Sequence, residues 1–290
     1  MDRRKALHLM TIAPLGAALT LRELGRAVDG FTSTPAMPVL FLGHGSPMNA
    51  IQENSFTLGW RTVAKDLPAP NAILCISAHW ETTGTFVTGM ERPRTIHDFG
   101  GFPKALFDVQ YPAPGSPTLA KLTQDAATSA HIGVDHQWGL DHGAWSVIMH
   151  LFPKADVPVV QLSLDRRLSP QQHYDLAREL SGLRRKGVLI IGSGNMVHNL
   201  GVIDWQNPDG GYDWAVEANS RMKELVLGED HAQLANYAAQ GKAFQLSIPT
   251  PEHYLPLLYT LGLKDRNEAV SIFNDRTVMG SISMTSIRIG

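Results

Sequence analysis

Short, continuously apolar runs recur along this chain of 290 residues, and segments with helical features separate them. Strands that are apolar on both faces are typical of a parallel or mixed sheet that helices cover on each side. The runs assigned to strands are residues 39–42, 72–77, 157–164 and 188–191, and a further strand is expected at 84–90. We therefore predict an α/β fold with a mostly parallel or mixed central sheet and helices on both faces.

Capping residues mark the start of two of the helices. Ser116 and Ser169 are each followed by a proline, which combines a good N-cap with a residue that favours the first helical turn. The helices expected from these and similar features span residues 60–67, 118–130, 144–150, 170–185, 214–227, 232–240 and 254–261. At residues 281–289, apolar and polar residues alternate, which predicts a half-buried strand at an edge of the sheet or antiparallel to it.

No internal repeat and no linker divides the chain, so we predict one domain over residues 36–290. Residues 1–30 are set apart as an N-terminal leader or helix. Their basic start and modest apolar stretch are similar to a degenerate twin-arginine signal, although His8 interrupts the apolar part and no small-x-small cleavage site precedes Arg22. We expect a cytoplasmic protein, with export to the periplasm as the alternative.

Composition excludes several classes of protein. The net charge is −2 with interspersed signs, so there is no basic stripe and nucleic acid is not an expected partner. No apolar run approaches the roughly 20 residues that span a membrane. The single cysteine, Cys75, excludes an intramolecular disulfide and a zinc site built on cysteines. Any metal must therefore be held by His, Asp or Glu. The composition gives no indication of the oligomeric state.

Five of the twelve histidines lie at the ends of predicted elements. His44, between two glycines, and His79 each follow a buried strand, and His198 follows a third. His142 stands between an aspartate and a glycine before a helix, and His253 lies in the first turn of a helix after two prolines. In open α/β sheets, ligands bind in the crevice beyond the carboxyl ends of the strands. We therefore expect these five side chains to converge on one crevice, although each could instead have a structural, hydrogen-bonded role.

Such a set of histidines suits metal-assisted chemistry. Neutral imidazole binds Zn, Fe, Cu and Ni, and three protein ligands with an open position are typical of a catalytic site. A spare histidine can transfer protons near neutral pH. The chain has no G-x-S-x-G, Walker A or H-E-x-x-H motif, and Ser46 and Ser193 are expected to be turn formers. Of the other histidines, His173 and His231 are expected to be solvated helix residues.

Seven motifs in one order resemble those of the class III extradiol ring-cleavage dioxygenases, and most closely the branch that acts on DOPA. They are LFLGHGSPMN at 40–49, ISAHW at 76–80, IHDFGGFP at 96–103, YPAPGSP at 111–117, GLDHGAWS at 139–146, GSGNMVHNL at 192–200 and TPEHYLPLLY at 250–259. The resemblance covers about residues 36–290. It implies a single α/β catalytic domain that cleaves a small catechol beside its two hydroxyls with non-haem Fe(II) and O₂.

The resemblance also implies roles for the five histidines. His44, His79 and His253 would hold the metal, with Glu252 as the alternative third ligand. His198 would be a further ligand or an acid/base, and His142 a second active-site histidine that handles the substrate hydroxyl or oxygen. Because histidine ligands also suit Zn(II), zinc could occupy the same site and leave the protein inactive as an oxygenase.

Two points stay open at the level of sequence. Five aromatic residues could form walls of a substrate site or could belong to the core: Trp80, Phe99, Phe102, Tyr111 and Trp145. Two other functions would use the same histidines. One is a zinc-dependent hydrolase that activates water, and the other is a relative without enzymatic activity that binds a metal or a ligand.

Overall fold

The apolar runs form the central strands of one eight-stranded sheet in the computed structural model, which describes residues 31–290. Its strands are β1 (Val39–Gly43), β2 (Ala72–Thr82), β3 (Thr85–Thr88), β4 (Ile132–Asp135), β5 (Val159–Asp165), β6 (Val188–Gly194), β7 (Val270–Phe273) and β10 (Ser286–Ile289). A separate two-stranded sheet pairs β8 (Thr277–Val278) with β9 (Ile282–Ser283).

The strand order is β4-β3-β5-β2-β6-β1-β10-β7. The central strands β5, β2, β6 and β1 are parallel to one another. β10 is antiparallel to β1, β7 is antiparallel to β10, and β3 is antiparallel to β5 and parallel to β4. The sheet is therefore mixed around a parallel centre, which confirms the predicted fold class.

The α-helices of residues 31–290 pack on this sheet and on one another. They are α1 (Ser55–Lys65), α2 (Lys104–Phe107), α3 (Pro117–Ala126), α4 (His142–Leu151), α5 (Pro170–Glu179), α6 (Asp213–Leu227), α7 (His231–Ala235), α8 (Lys242–Ser247) and α9 (Leu255–Gly262). α4 and α9 both contact the central strands β2 and β6. Because successive side chains of a strand point to opposite faces, strands that are buried at every position need such cover on each side.

β2 is longer than predicted, and this changes the position of His79. The strand continues to Thr82, so His79 and Trp80 lie within it rather than after it. Its pairing with β5 shifts register between Ile76 and Glu81, as in a β-bulge. Bulges commonly redirect a side chain beside a functional site, and this irregularity includes His79.

Several other boundaries differ from the prediction. The helix expected at 170–185 is α5 followed by a 3₁₀ helix, Leu180–Lys186, and Gly187 ends it with a φ of +72°. The helix expected at 232–240 likewise divides into α7 and a 3₁₀ turn, Tyr237–Ala239. α1 begins five residues before the expected start because Asn54 caps it with bonds to two backbone N–H groups.

The C-terminal stretch also differs from the predicted half-buried strand. It is broken into β9 and β10, and most of its residues are buried on both faces. β10 is antiparallel to β1 as predicted, but β7 pairs with its other side, so β10 is not an edge strand.

The described residues from Ser33 to Gly290 form one compact unit. The predicted leader at 1–30 lies outside the described residues, and both it and the start of the domain at residue 36 stay predictions. Among residues 31–290, no helix is long and apolar enough to cross a membrane.

His173 is buried in α5, and the prediction that it is solvated was wrong. Its exposed fraction is 0%, and Nδ1 lies 3.1 Å from the hydroxyl of Tyr259 on α9. Burial lowers the pKa of His173 to about 4. A histidine in the unfolded chain has a pKa of about 6.5.

We expect His173 to make the protein less stable in mild acid. Between pH 6.5 and 4 the unfolded chain binds the proton more readily, so the free energy of unfolding falls as the pH is lowered through this window, by up to about 3 kcal/mol. Urea unfolding at pH 7 and pH 4.5 should show a weaker acid dependence for His173→Gln than for the wild type. The exposed His131 offers a control, His131→Gln, that should keep the wild-type dependence. If His173→Gln and the wild type lose the same free energy of unfolding between pH 7 and pH 4.5, the predicted role of His173 is wrong.

Candidate metal centre and active site

The five predicted histidines meet at the carboxyl ends of the adjacent parallel strands β2, β6 and β1. His44 is the first residue after β1, and His79 lies near the end of β2. His142 is the first residue of α4, His198 is in the loop after β6, and His253 is in the turn before α9. The histidines therefore line the crevice beyond the carboxyl ends of the strands, where ligands bind in open α/β sheets.

Each of the five imidazole rings contacts at least one other. His44 and His79 bring their Nε2 atoms to 3.2 Å, and their ring centroids are 5.1 Å apart. The ring of His253 is 5.3 Å from that of His44 and 5.0 Å from that of His79. His142 lies 3.9 Å from the His79 ring, and His198 stacks on His253 with centroids 3.5 Å apart. The structure therefore brings together all five residues chosen from the sequence.

Ser193 fixes the orientation of His44. Its hydroxyl donates to the carbonyl of Gly143 at 2.5 Å and lies 3.0 Å from Nδ1 of His44. With its proton given to Gly143, the hydroxyl oxygen accepts from Nδ1–H, which leaves the Nε2 lone pair of His44 free for a metal. Ser193 lies inside β6, so the prediction that it is a turn former was wrong; Ser46 does cap the 3₁₀ helix Pro47–Ala50.

One carboxylate, Asp98, joins His79 to His142. Its Oδ1 lies 3.0 Å from Nδ1 of His142 and its Oδ2 lies 3.3 Å from Nδ1 of His79. The backbone N–H of His142 also donates to Oδ1, at 2.8 Å. Burial raises the pKa of Asp98, but the hydrogen bond and charge of His142 outweigh burial and hold it below its usual value. An ionised Asp98 directs the Nε2 atoms of both rings into the site.

The start of α4 is held by a second carboxylate, Asp141, which is fully buried. Its Oδ1 caps the helix at Ala144 N–H and accepts from the Ser77 hydroxyl at 2.6 Å, and its Oδ2 accepts from the Gln161 amide at 2.6 Å. Burial raises the pKa of Asp141. Gly143 is required beside it, because a Cβ there would lie 2.5 Å from the Ser77 hydroxyl oxygen. These contacts fix the first turn of α4, and with it His142.

His253 is anchored to the end of β6 and to its neighbour in the chain. The N–H of Asn195 donates to the carbonyl of His253 at 2.8 Å. Nδ1 of His253 lies 3.0 Å from Oε1 of Glu252, which also accepts from the Thr250 hydroxyl. Glu252 therefore contacts the outer nitrogen of His253, a position that suits a partner of the ligand.

The donor set fits one divalent transition metal. Burial lowers the pKa of His79 to about 3 and that of His198 to about 4, and it holds those of His44 and His253 well below the usual value. Neutral imidazole is the form that binds metal. The ligating atoms of His44, His79 and His142 lie within 4.8 Å of one another, as do those of His198, Glu252 and His253.

This grouping differs from the ligand set expected from the sequence. It places His142, to which the sequence analysis gave proton transfer, beside His44 and His79. It places His253 with His198 and Glu252.

A cavity of about 310 Å³ opens above the histidines. Phe99 and Phe102 line it, which is one of the two roles left open for them by the sequence. The other three aromatic candidates belong to the core. Trp80 stacks on Trp138, Tyr111 donates to the carbonyl of Phe152, and Trp145 donates to the carbonyl of Ile96.

Sequence reasoning missed Asp98 and the segment Leu200–Trp205. Asp98 had one sequence feature in its favour, its position in the loop motif IHDFGGFP at 96–103. The histidine before it, His97, bonds to the carbonyl of Val109 and holds that loop. Leu200, Ile203 and Trp205 line the cavity from the stretch after His198, and they carried no pattern that marked them.

Comparison with known proteins defines the class. Residues 52–269 match the family described as the catalytic LigB subunit of aromatic ring-opening dioxygenase. The matched residues include four of the five histidines, while His44 precedes them. The chain therefore belongs to this family of ring-opening dioxygenases, which confirms both the resemblance and the enzyme class.

Individual relatives of the chain are consistent with this family assignment. The chain is 45% identical over 266 residues to a protein of Escherichia coli K12 named 4,5-DOPA dioxygenase extradiol, covering 90% of this chain and 98% of that protein. It is 35% identical over 255 residues to a protein of the same name from Beta vulgaris, covering 86% and 94%. A crystal structure of an uncharacterized protein from Escherichia coli K12 matches with a TM-score of 0.77 and 42% identity, over 88% of this chain and 100% of that one.

Proposed function

We propose that the protein is an Fe(II)-dependent extradiol dioxygenase that opens the ring of a small catechol of the DOPA type with O₂. The observation that carries this is the convergence of five histidines, three buried and two half-buried, at a cavity of about 310 Å³ with aromatic walls. A single catechol ring suits such a cavity. The names of the relatives place DOPA among the substrates to test.

In this proposal His44, His79 and His253 hold the metal. The ring of His253 is within 5.3 Å of the rings of both other residues, and Glu252 and Ser193 orient the outer nitrogens of His253 and His44. Fe(II) bound there would supply positions at which catechol and O₂ meet and a route for electron density between them.

His142 acts as the base that accepts a proton from a catechol hydroxyl. Its Nδ1 faces Asp98, so Nε2 is the atom that receives the proton, and the carboxylate stabilises the imidazolium that forms. His198 stacks on His253, and we assign it the later proton transfer, with a further metal ligand as the alternative role. Both atoms of O₂ enter the ring-opened product.

Zinc cannot replace iron in this reaction, although it suits the same nitrogen donors. Zn(II) has no accessible redox change, and ring opening by O₂ requires electrons to pass from catechol to oxygen. We therefore expect zinc-loaded protein to be folded and inactive towards catechols.

Reconstitution with single metals tests the proposal. Metal-free protein is reloaded with Fe(II) or with Zn(II), and each sample receives a catechol panel that includes DOPA and, in a separate assay, a simple ester. Ring-opened product from the Fe(II) sample alone is expected. Ester hydrolysis by the Zn(II) sample, with no catechol turnover by the Fe(II) sample, would contradict the proposal and favour a hydrolase.

A further inference from the structure

A buried hydrogen-bond network joins the backbone of His142 to that of His79. The carboxylate of Asp141, one residue before His142, accepts from the Ser77 hydroxyl at 2.6 Å. The Ser77 oxygen in turn accepts from the backbone N–H of His79 at 3.2 Å. Asp98 contacts the outer nitrogens of the same two rings. The two histidines are therefore connected twice, through their side chains by Asp98 and through their backbones by Asp141.

Gln161 on β5 holds Asp141 by two hydrogen bonds of opposite direction. Its Oε1 accepts from the backbone N–H of Asp141 at 2.9 Å, and its Nε2 donates to Oδ2 of the same residue at 2.6 Å. Both residues are 0% exposed. An amide offers a donor and an acceptor side by side, so it matches the N–H and the carboxylate of Asp141, which a hydrocarbon of the same size would not.

Every hydrogen bond to the Asp141 carboxylate from the described residues comes from a donor. Besides Ser77 and Gln161, the donors are the backbone N–H of Ala144 at 3.0 Å and the indole N–H of Trp138 at 3.3 Å. Both oxygens of the side chain therefore act as acceptors, as in an ionised carboxylate. A buried polar network is rigid when every member has its partner, and one mismatched pair is costly there.

We propose that Asp141 and Gln161 are positioning residues for ring opening. Through the first turn of α4 and through Ser77, they set the position of His142, which accepts the catechol proton, relative to His79 on the metal. This inference rests on the function proposed above. Neither Asp141 nor Gln161 lines the cavity, so both act through His142. Displacement of a catalytic group by about 1 Å can cost about a hundredfold in rate.

Asp141→Asn breaks this match without changing the size of the side chain. The new NH₂ group meets Nε2 of Gln161, and turning either amide only moves the conflict to the backbone N–H of residue 141 or of Ala144. We expect kcat per bound iron to fall by about tenfold to a hundredfold. KM should change by less than about twofold, because no contact with the substrate is lost. A role in folding alone would lower the free energy of unfolding and leave kcat per bound iron unchanged.

Exchanging the donor and the acceptor between the two side chains tests the pairing itself. In the double variant Asp141→Asn/Gln161→Glu, the new amide donates to the new carboxylate, which also accepts the backbone N–H of residue 141. Both hydrogen bonds return and the net charge is that of the wild type. We expect kcat per bound iron to recover to within about fivefold of the wild-type value. Recovery stops short of it because the Trp138 indole N–H then faces a donor.

Two further variants complete the experiment. Gln171 and Asp175 are a matched control, because the same two groups form a hydrogen bond of 3.1 Å on the exposed surface of α5. Asp175→Asn should keep the wild-type kcat per bound iron. Ser77→Ala is a milder change that decides the question if Asp141→Asn does not fold. It removes the link from Asp141 to His79, and kcat per bound iron should fall by at least about threefold.

All variants are assayed as the full chain loaded with Fe(II), with DOPA as the catechol, and urea unfolding at pH 7 shows which of them are folded. Wild-type kcat per bound iron in a folded Asp141→Asn variant or in Ser77→Ala would overturn the inference. A double variant no more active than Asp141→Asn would also overturn it. No ring-opened product from the wild-type protein would instead overturn the proposed function, and the inference with it.

Discussion

Replacing His79 with alanine is expected to remove the metal and the activity together. The ring of His79 lies at the centre of the cluster, with Nε2 3.2 Å from that of His44 and its ring 5.0 Å from that of His253. Loss of a residue that only orients a ligand lowers metal affinity by about tenfold to a hundredfold, so loss of a ligand should cost more than about a hundredfold. The metal content after dialysis and kcat with added Fe(II) measure the two effects.

The exposed His136 offers a matched control for this variant. His136→Ala should keep wild-type metal content and kcat, because its side chain lies outside the cluster. Unfolding of both variants at pH 7 shows whether they are folded. A folded His79→Ala variant with full metal content and full activity would exclude His79 as a ligand.

Asp98→Asn is expected to lower kcat while most of the metal stays bound. An asparagine can accept from one ring, but its NH₂ group cannot accept the Nδ1–H of the other, so the Nε2 atoms of His79 and His142 are no longer both directed into the site. Losses of activity from such changes range from about tenfold to about ten thousandfold. The readouts are kcat, metal content and the pH profile of kcat, which should shift because the acid/base histidine loses its negative partner.

Asp108→Asn is the control for this variant. Asp108 is exposed near the same loop and pairs with Lys104, away from the histidines. It should keep wild-type kcat and pH profile. An Asp98→Asn variant with wild-type kcat and an unchanged pH profile would show that Asp98 does not act through His142.

The parallel centre of the fold could be predicted because its strands are apolar at every position, which few other arrangements accommodate. The strands β4 and β7 could not be predicted from the sequence. β4 has four residues, with a glycine among them, and is only partly buried, and all four residues of β7 are at least partly exposed. Their pairing depends on neighbours that are distant in the sequence. The extension of β2 past Ser77 also depends on its partner strand, since Ala78-His79-Trp80 has no strand pattern of its own.

The five histidines could be chosen because strand ends in such a fold meet at one edge. Their partners could not be predicted. Asp98 is 44 residues from His142 in the chain and Ser193 is 149 residues from His44, so only the folded chain brings each pair together. The assignment of His253 rather than His142 to the metal is a proposal that came from resemblance, and the distances alone group His142 with His44 and His79.

The most direct test of the central claim is the stoichiometry of oxygen uptake by Fe(II)-loaded, zinc-free protein. An oxygen electrode and the absorbance of the product are followed together during turnover of a catechol. We expect one O₂ consumed for each catechol lost, a yellow product that carries an aldehyde and a carboxylate, and no hydrogen peroxide. No uptake with any catechol, despite verified iron binding, would contradict the account.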